Sequence, residues 1–290
     1  MKPPPFDYFA PTTIEEALEL FSGSEDARFL AGGQSLMPML NMRVAAPERV
    51  IDLNRIETLA GVTEEDGEIV IGAMTRQRRL ERDPLLREKL PLIAMALRHV
   101  GHLQTRNRGT IGGSLCHLDP SAELPAVAFA HDAILEAAGP AGRRRIPIAD
   151  WPSSLMETSL APGEMLAAIR LRPWRPRAGY GFREFARRHG DFAIAGAAAL
   201  LDFDAQGCIA KAALTLFGIH AAPVRATHAE AMLVGAKPGA ALFAEACATA
   251  RSLATLEDPY YSASYRGEVA TAMAERALAQ AAGLASEAQS

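Results

Sequence analysis

Cysteine is scarce in this sequence: three residues in 290, at Cys116, Cys208 and Cys247. None forms a C-x-x-C pair and the count is odd, so neither an iron–sulfur cluster nor a disulfide framework is expected in this chain. Long apolar runs are also missing. The longest candidate, residues 192–201, falls well short of the roughly 20 residues that cross a bilayer. Met1 to Asp7 shows no apolar signal core, so a cytoplasmic protein is expected. Positive charge is not in excess, with 30 Lys and Arg against 34 Asp and Glu and a formal net charge of -4. Runs such as Arg143-Arg144-Arg145 read as a solvated edge, and no nucleic-acid partner is expected. The seven histidines show no H-E-x-x-H or comparable spacing, which gives no metal site. No Ser or Cys stands in an elbow-like motif, so no nucleophilic triad is assigned. G-x-G-x-x-G between strand and helix and G-x-x-x-x-G-K are both absent, which argues against a plain dinucleotide fold or a nucleoside triphosphatase.

What the chain does have is length, 49% hydrophobic residues and two glycine-paired segments. A chain of this size buries about 75% of its unfolded surface, enough for two ordinary domains. The segments are Ala31-Gly32-Gly33-Gln34-Ser35-Leu36 and Gly109-Thr110-Ile111-Gly112-Gly113-Ser114-Leu115. Glycine takes φ > 0 without penalty and lets main-chain N–H groups converge on an anion, while Ser and Thr hydroxyls add donors. If Ser35 opens a helix over 36–43, the free N–H groups of its first turn point at the same anion. One diphosphate held by two loops is the simplest reading, and a branched side chain at Gly33 or Gly112 would then remove it with little harm to the fold. Taken singly, each segment is more often an ordinary tight turn; two with similar chemistry favour the anion reading.

Thr13-Ile14-Glu15-Glu16 reads as a capping box, and Ile14, Ala17, Leu18 and Phe21 recur at helical spacing, so a helix is expected to about Phe21. Strands are expected at 28–30, 49–53, 68–73, 134–137, 144–148 and 165–171, with a helix over 92–100 ending at Gly101. Strands and helices without strict βαβ alternation argue α+β. Arg172-Pro173-Trp174-Arg175-Pro176-Arg177-Ala178-Gly179 reads as a linker, since two prolines and a glycine prevent regular structure. Beyond it, strands at 181–186, 193–203 and 208–217 precede helices at 226–234, 240–253 and 267–282, which gives a second α+β unit. Asp119-Pro120-Ser121-Ala122-Glu123 reads as a helix start with Asp119 as the cap.

The runs Leu30-Ala31-Gly32-Gly33-Gln34-Ser35-Leu36-Met37-Pro38-Met39-Leu40-Asn41-Met42-Arg43 and Thr110-Ile111-Gly112-Gly113-Ser114-Leu115-Cys116-His117-Leu118-Asp119-Pro120 resemble the two FAD-binding segments of the medium subunit of molybdenum-containing hydroxylases. The flavoprotein of carbon monoxide dehydrogenase and the flavin portion of xanthine dehydrogenase belong to that group. Phe6-Asp7-Tyr8, Val70-Ile71-Gly72-Ala73-Met74-Thr75, Arg188-His189-Gly190-Asp191-Phe192-Ala193 and Ala263-Ser264-Tyr265-Arg266 extend the resemblance along nearly the whole chain. It implies a PCMH-type FAD-binding domain over 1–175, with subdomains of about 1–55 and 56–175. A small C-terminal domain over 179–284, a three-stranded antiparallel sheet with helices, is implied to follow.

The same resemblance implies that Ala31, Gly32, Gly33, Gln34 and Ser35 wrap the pyrophosphate from one side and Thr110, Ile111, Gly112, Gly113 and Ser114 from the other. Leu36, His117 and Leu166 are then cofactor neighbours, and Asp119 and Glu123 accept hydrogen bonds from ribityl or ribose hydroxyls. Taken alone, His117 reads as a hydrogen-bonded structural histidine rather than a catalytic base. Phe192 matches a position that is often aromatic over the isoalloxazine, although as a bare residue it reads equally as core opening a buried strand. Many relatives carry a lysine upstream of that motif, where this chain offers Arg183 and Glu184, and Gln34 stands where some carry His. The implied function is electron transfer: a molybdenum pterin centre on a large subunit hydroxylates substrate, and two [2Fe-2S] clusters on a small subunit pass electrons to FAD in this chain. FAD returns them to NAD+, a quinone or oxygen, in a complex implied to be a dimer of heterotrimers. A self-sufficient FAD-dependent oxidoreductase of the same fold group, or a non-catalytic scaffold that kept the fold, are the alternatives.

Overall fold

A computed structural model describes residues 1–175 and 178–283, so Pro176 and Arg177 of the linker lie outside the described residues. The chain opens with a small parallel sheet of β1 (Asp7–Phe9), β2 (Ala27–Leu30) and β3 (Arg49–Asp52), with β3 in the middle. Helix α1 (Ile14–Ser22) joins β1 to β2 and buries Ile14 and Ala17. Its start is a near variant of the expected capping box. Thr13 accepts from the Glu16 N–H, while the Glu16 carboxylate reaches back one residue further, to the Thr12 N–H at 2.9 Å. After β2 the chain enters α2 (Leu36–Met42), which ends where Arg43 turns left-handed at φ 59°.

A five-stranded antiparallel sheet follows, in the order β4 (Val62–Glu65), β5 (Glu68–Gly72), β10 (Met165–Leu171), β6 (Ile134–Gly139) and β7 (Gly142–Pro147). Between β5 and β6 run six short helices: α3 (Gln77–Arg82), α4 (Pro84–Lys89), α5 (Pro91–Leu97), α6 (Leu103–Arg108), α7 (Ile111–His117) and α8 (Glu123–Ala130). Only α5 was expected from periodicity. A hairpin of β8 (Pro152–Ser154) and β9 (Glu157–Thr158) precedes β10, with Trp151 wholly buried beside it and donating its indole N–H to the Leu115 carbonyl at 2.8 Å.

Two expected boundaries move. The second glycine segment is not a loop, because Thr110 caps α7 and Gly112 and Gly113 lie in its first turn. The helix expected with Asp119 as its cap starts three residues later, with Ala122 at the cap. Asp119 instead accepts from the Ser121 N–H at 2.8 Å, an Asx turn that orients the segment without being its cap.

After the linker, β11 (Gly179–Ala186), β12 (Ala193–Phe203) and β13 (Ile209–Phe217) form the expected antiparallel sheet, and β14 (Val224–Arg225) adds a fourth, two-residue strand. Helices α9 (Thr227–Leu233), α10 (Ala240–Ala248) and α11 (Ala263–Ala281) cover one face. The other face of the same sheet packs on α8 and α5, so Ala198, Leu200, Ala213, Phe182 and Phe217 share a core with Leu124, Val127 and Ile93. Strand β12 is buried on both faces, which is why it reads as a continuous apolar run without alternation. The α8 helix is buried all round for the same reason.

Candidate functional site

Glycine makes the two paired segments meet. Gly32 lies directly against the Arg108–Gly109 backbone, where any Cβ would collide, and a Cβ on Gly113 would stand 3.5 Å from the Ala31 Cβ. Gly33 sits at φ +70°, a conformation L side chains rarely adopt. Segments some eighty residues apart in sequence thus share one cavity of about 610 Å³.

Of the sixteen residues expected at the site, all but one line this cavity: Ala31 to Leu36, then Thr110, Gly112, Gly113 and Ser114, then His117, Asp119, Glu123, Leu166 and Phe192. Ile111 does not. Its side chain is buried in the main core at the opposite side of α7. The cavity also takes in residues that the motif reading left unassigned: Arg28, Met39, Gln77, Thr105 and Met165, along with Ala73 and Met74 from the quoted β5 segment. Met39, Ala73 and Met74 lie within the quoted runs and Arg28 and Met165 on expected strands, whereas Gln77 and Thr105 sit on α3 and α6, short helices rich in arginine and glutamine whose pattern carries no periodicity to read.

The amide donors are divided unevenly. In the second segment the N–H groups are spent on protein acceptors: Ile111 on the Thr75 carbonyl at 3.2 Å, Gly112 on the Ala73 carbonyl at 2.8 Å, Gly113 on the Thr110 hydroxyl at 3.0 Å and Ser114 on the Thr110 carbonyl at 3.2 Å. In the first segment the N–H groups of Gly32, Gly33, Gln34 and Ser35 have no acceptor among the described residues. An anion is therefore offered main-chain donors by the first segment, and hydroxyls by Thr110 and Ser114. The symmetric two-loop backbone cradle expected from the sequence is not what the hydrogen bonds show. Orphan amides cluster where a ligand supplies the acceptor.

The rest of the wall is apolar, with Phe29, Leu36, Met39, Leu53, Val100 and Leu166 around a few polar groups. Glu123 is the main acidic exception: it is 8% exposed, and burial first, then the neighbouring Glu184 carboxylate, push its pKa up to about 8. Burial likewise raises the Cys116 thiol to about 12, which leaves no thiolate for nucleophilic work. Phe192 is not core. It is 71% exposed and stands between this cavity and a second, more open one of about 640 Å³, to both of which Asp119 and Gly190 to Phe192 contribute.

Volume, apolar lining, one cluster of unpaired amides and a few convergent polar groups are the properties of a site for a large, partly anionic organic cofactor, and they fit FAD. Among the described residues no group of three His, Cys, Asp or Glu could hold a metal ion, and no helix is long and apolar enough to cross a membrane.

Comparison with known proteins agrees. Residues 4–174 match the family model of the FAD binding domain in molybdopterin dehydrogenase, and residues 180–281 match that of the CO dehydrogenase flavoprotein C-terminal domain. The chain is 40% identical to the 6-hydroxypseudooxynicotine dehydrogenase complex subunit alpha of Paenarthrobacter nicotinovorans, over 97% of this chain and 96% of that one. It is 35% identical to the carbon monoxide dehydrogenase medium chain of Hydrogenophaga pseudoflava, over 96% and 97%. A solved structure of the H. pseudoflava enzyme superposes with a TM-score of 0.94 at 36% identity, covering 97% of this chain and 98% of that chain. Quinoline 2-oxidoreductase from Pseudomonas putida 86 superposes with a TM-score of 0.93 at 32% identity, covering 98% and 99%. With both matches in sequence order along nearly all of its length, the chain belongs to the family of FAD-binding medium subunits of molybdenum hydroxylases, an oxidoreductase family.

Proposed function

We propose that this chain holds FAD in the cavity between its glycine-paired segments and relays electrons within a molybdenum hydroxylase complex. The partners are a large subunit with the molybdenum pterin cofactor and a small subunit with two [2Fe-2S] clusters, assembled as a dimer of heterotrimers in the cytoplasm. Residues 1–175 hold the cofactor and residues 179–284 form the unit that closes over it. The observation that carries the reading is the convergence of Ala31 to Leu36, Thr110 to Ser114, Glu123 and Phe192 on one cavity, Ile111 alone excepted.

Bound there, FAD would supply the redox chemistry between the partner's clusters and an acceptor such as NAD+, a quinone or oxygen. The protein's residues position and shield it. The free amides of Gly32 to Ser35, with the Thr110 and Ser114 hydroxyls, hold the diphosphate. Leu36, Met39 and Leu166 exclude water from the apolar rings. Glu123 and Asp119 accept from sugar-chain hydroxyls, and Phe192 covers the outward side. Substrate contacts belong to the large subunit.

The test is anaerobic flavin reduction on adding organic substrate, first to this chain alone and then to the assembled complex. The expected result is a yellow protein that substrate bleaches only in the complex. A colourless protein overturns cofactor binding. Bleaching of the isolated chain overturns the relay and favours a self-sufficient oxidoreductase.

A further inference from the structure

The two glycine segments are tied to each other from behind the cavity wall. Asn54, in the helical turn that follows β3, donates its Nδ2–H to the Ala31 carbonyl at 2.9 Å. The Asn54 Oδ1 accepts from Arg76 Nη2 at 2.5 Å, and Arg76 Nη1 donates to the Arg108 carbonyl. Ala31 opens the first segment and Arg108 immediately precedes the second. One amide and one guanidinium therefore bridge two segments whose backbones already touch at Gly32 and Arg108. Asn54 is held in turn by Asp52, which accepts from both its main-chain and its side-chain N–H, and Asp52 takes the Tyr8 hydroxyl at 2.6 Å. The brace thus runs from β1 to the end of α6, and neither Asn54 nor Arg76 lines the cavity itself.

Each end of the bridge grips backbone that bears on a ligand. A planar trans peptide sends its C=O and N–H in opposite directions, so fixing the Ala31 oxygen also fixes the Gly32 N–H of the same unit. Gly32 is the first of the four amides that have no acceptor among the described residues. At the other end Arg76 pairs with Thr110 in an isolated antiparallel bridge, flanked by the Gln77 N–H on the Gly109 carbonyl at 2.8 Å and the Ile111 N–H on the Thr75 carbonyl at 3.2 Å. The backbone that carries the Thr110 hydroxyl is therefore held by the same residue whose guanidinium reaches the first segment through Asn54. Arg76 is half-buried, and burial, then the Arg108 cation, act against its charge, with Asp52 offsetting them in part. Among the described residues it makes no ion pair with a carboxylate, and both of its side-chain bonds go to neutral oxygens. What the position uses is the planar fork, two donors at a fixed separation.

We propose that Asn54 and Arg76 are positioning residues for the cofactor, which set the separation and direction of the Gly32 amide and the Thr110 hydroxyl that meet the FAD diphosphate. The proposal rests on FAD occupying the cavity. With the bridge cut, the segments still pack at Gly32 and the strands still pair, so the fold persists while the donors lose their fixed spacing. Neither residue touches the cofactor, and each acts through the peptide units of Ala31–Gly32 and Arg108–Thr110.

The experiment is titration of the full-length chain, stripped of flavin, with FAD, followed by flavin fluorescence, beside a thermal melt of the same flavin-free protein. Asn54→Ala and Arg76→Met should each weaken FAD binding roughly 10- to 100-fold, the range lost with a hydrogen bond to a charged group, while the flavin-free melting temperature stays near wild type. Arg76→Lys should not restore affinity, because its single ammonium lacks the two separated donors. The double variant should bind no more weakly than Arg76→Met, since both changes cut the same bridge. Wild-type affinity in Asn54→Ala, or losses that add in the double variant, overturns the bridge. Full affinity in Arg76→Lys overturns it too, by leaving only charge at work, as does a flavin-free melting temperature that falls in step with affinity. Should the Arg76 variants not fold, the exposed Asn54 still decides: Asn54→Asp keeps an acceptor for Arg76 but no donor for Ala31, and should lose affinity as Asn54→Ala does. Wild-type protein that binds no FAD overturns the cofactor reading instead, which the first titration shows.

Discussion

Gly112 backs directly onto Ala73: a Cβ built on it would stand 2.6 Å from the Ala73 Cβ and 2.7 Å from the Ala73 carbonyl oxygen, which accepts the Gly112 N–H at 2.8 Å. The constraint at Gly112 is therefore one of packing between α7 and the end of β5, rather than room for a diphosphate. The expectation that a valine there spares the fold does not survive this geometry.

Gly33 and Gly112 should accordingly part company on substitution. Gly112→Val is expected to cost about 1–3 kcal/mol or more through overpacking and to give little folded protein. At Gly33 the left-handed φ of +70° adds strain of roughly 1–3 kcal/mol, but the nearest atoms are the ends of flexible side chains, Met37 Cγ at 3.2 Å and Leu30 Cδ1 at 3.4 Å. Gly33→Val should fold and lose flavin. Thermal melts, with flavin absorbance per mole after gel filtration, separate the two. A Gly112→Val protein melting like wild type would refute the packing argument.

Arg266 holds the start of α11 to the sheet. Its side chain is buried, and one guanidinium nitrogen donates to the carbonyls of Ile194 at 2.6 Å and Gly218 at 2.7 Å while the other pairs with Asp258. Arg266→Met leaves two carbonyls without a donor and a carboxylate without its cation. Leaving those two buried carbonyls without a donor costs about 1–3 kcal/mol, visible as a lower urea midpoint. Arg266→Lys should recover only part, because one ammonium cannot reproduce the planar fork.

The elements legible in the sequence are those whose burial alternates or runs unbroken. Strand β10 appears at its expected bounds because Met165, Leu166, Ala167, Ala168, Ile169 and Leu171 are all buried. Strand β4 was not legible, because its Thr63, Glu64 and Glu65 face solvent at a sheet edge and only pairing with β5 makes them a strand. Helices α3 and α6 were hidden similarly. Neither has more than two buried residues, and tertiary packing, not propensity, forms them. At the site, the glycine pairs were visible as motifs, whereas the spending of the 111–114 amides was not. It depends on Ala73 and Thr75, some forty residues away, meeting them through the close approach only Gly112 permits.

His131, at the end of α8, makes the protein acid-labile. It is 3% exposed, and burial pushes its pKa down to about 4, with the Arg172 backbone offsetting this in part and Lys211 adding to it. The unfolded chain then binds the proton first, so stability is complete above the ordinary histidine value of about 6.5 and falls as pH drops toward 4. The loss amounts to roughly 3 kcal/mol by this single group. His131→Leu should flatten urea-derived stability across that window. A variant as acid-sensitive as wild type would show that the carboxylate pairs, not His131, set the limit.

Phe192 separates stability from access. Because it is 71% exposed, truncating it removes little packing, and Phe192→Ala should change the unfolding free energy by no more than about 0.5 kcal/mol. Its place is the ridge between two cavities. The second is lined by Arg187, Tyr260 and Tyr261 and opens to solvent, so shortening the ring joins the two spaces. With FAD bound, solutes then reach it from the outer hollow. The measurement is quenching of flavin fluorescence by iodide together with the rate of sulfite addition, both of which report access and neither of which needs partner subunits. Phe192→Ala should raise both severalfold at unchanged FAD content, and Phe192→Tyr should restore wild-type values, since a phenol fills the same ridge. Equal quenching in wild type and Phe192→Ala would mean that the ring does not stand over the flavin and that access is set by Gly190 and Asp191 instead.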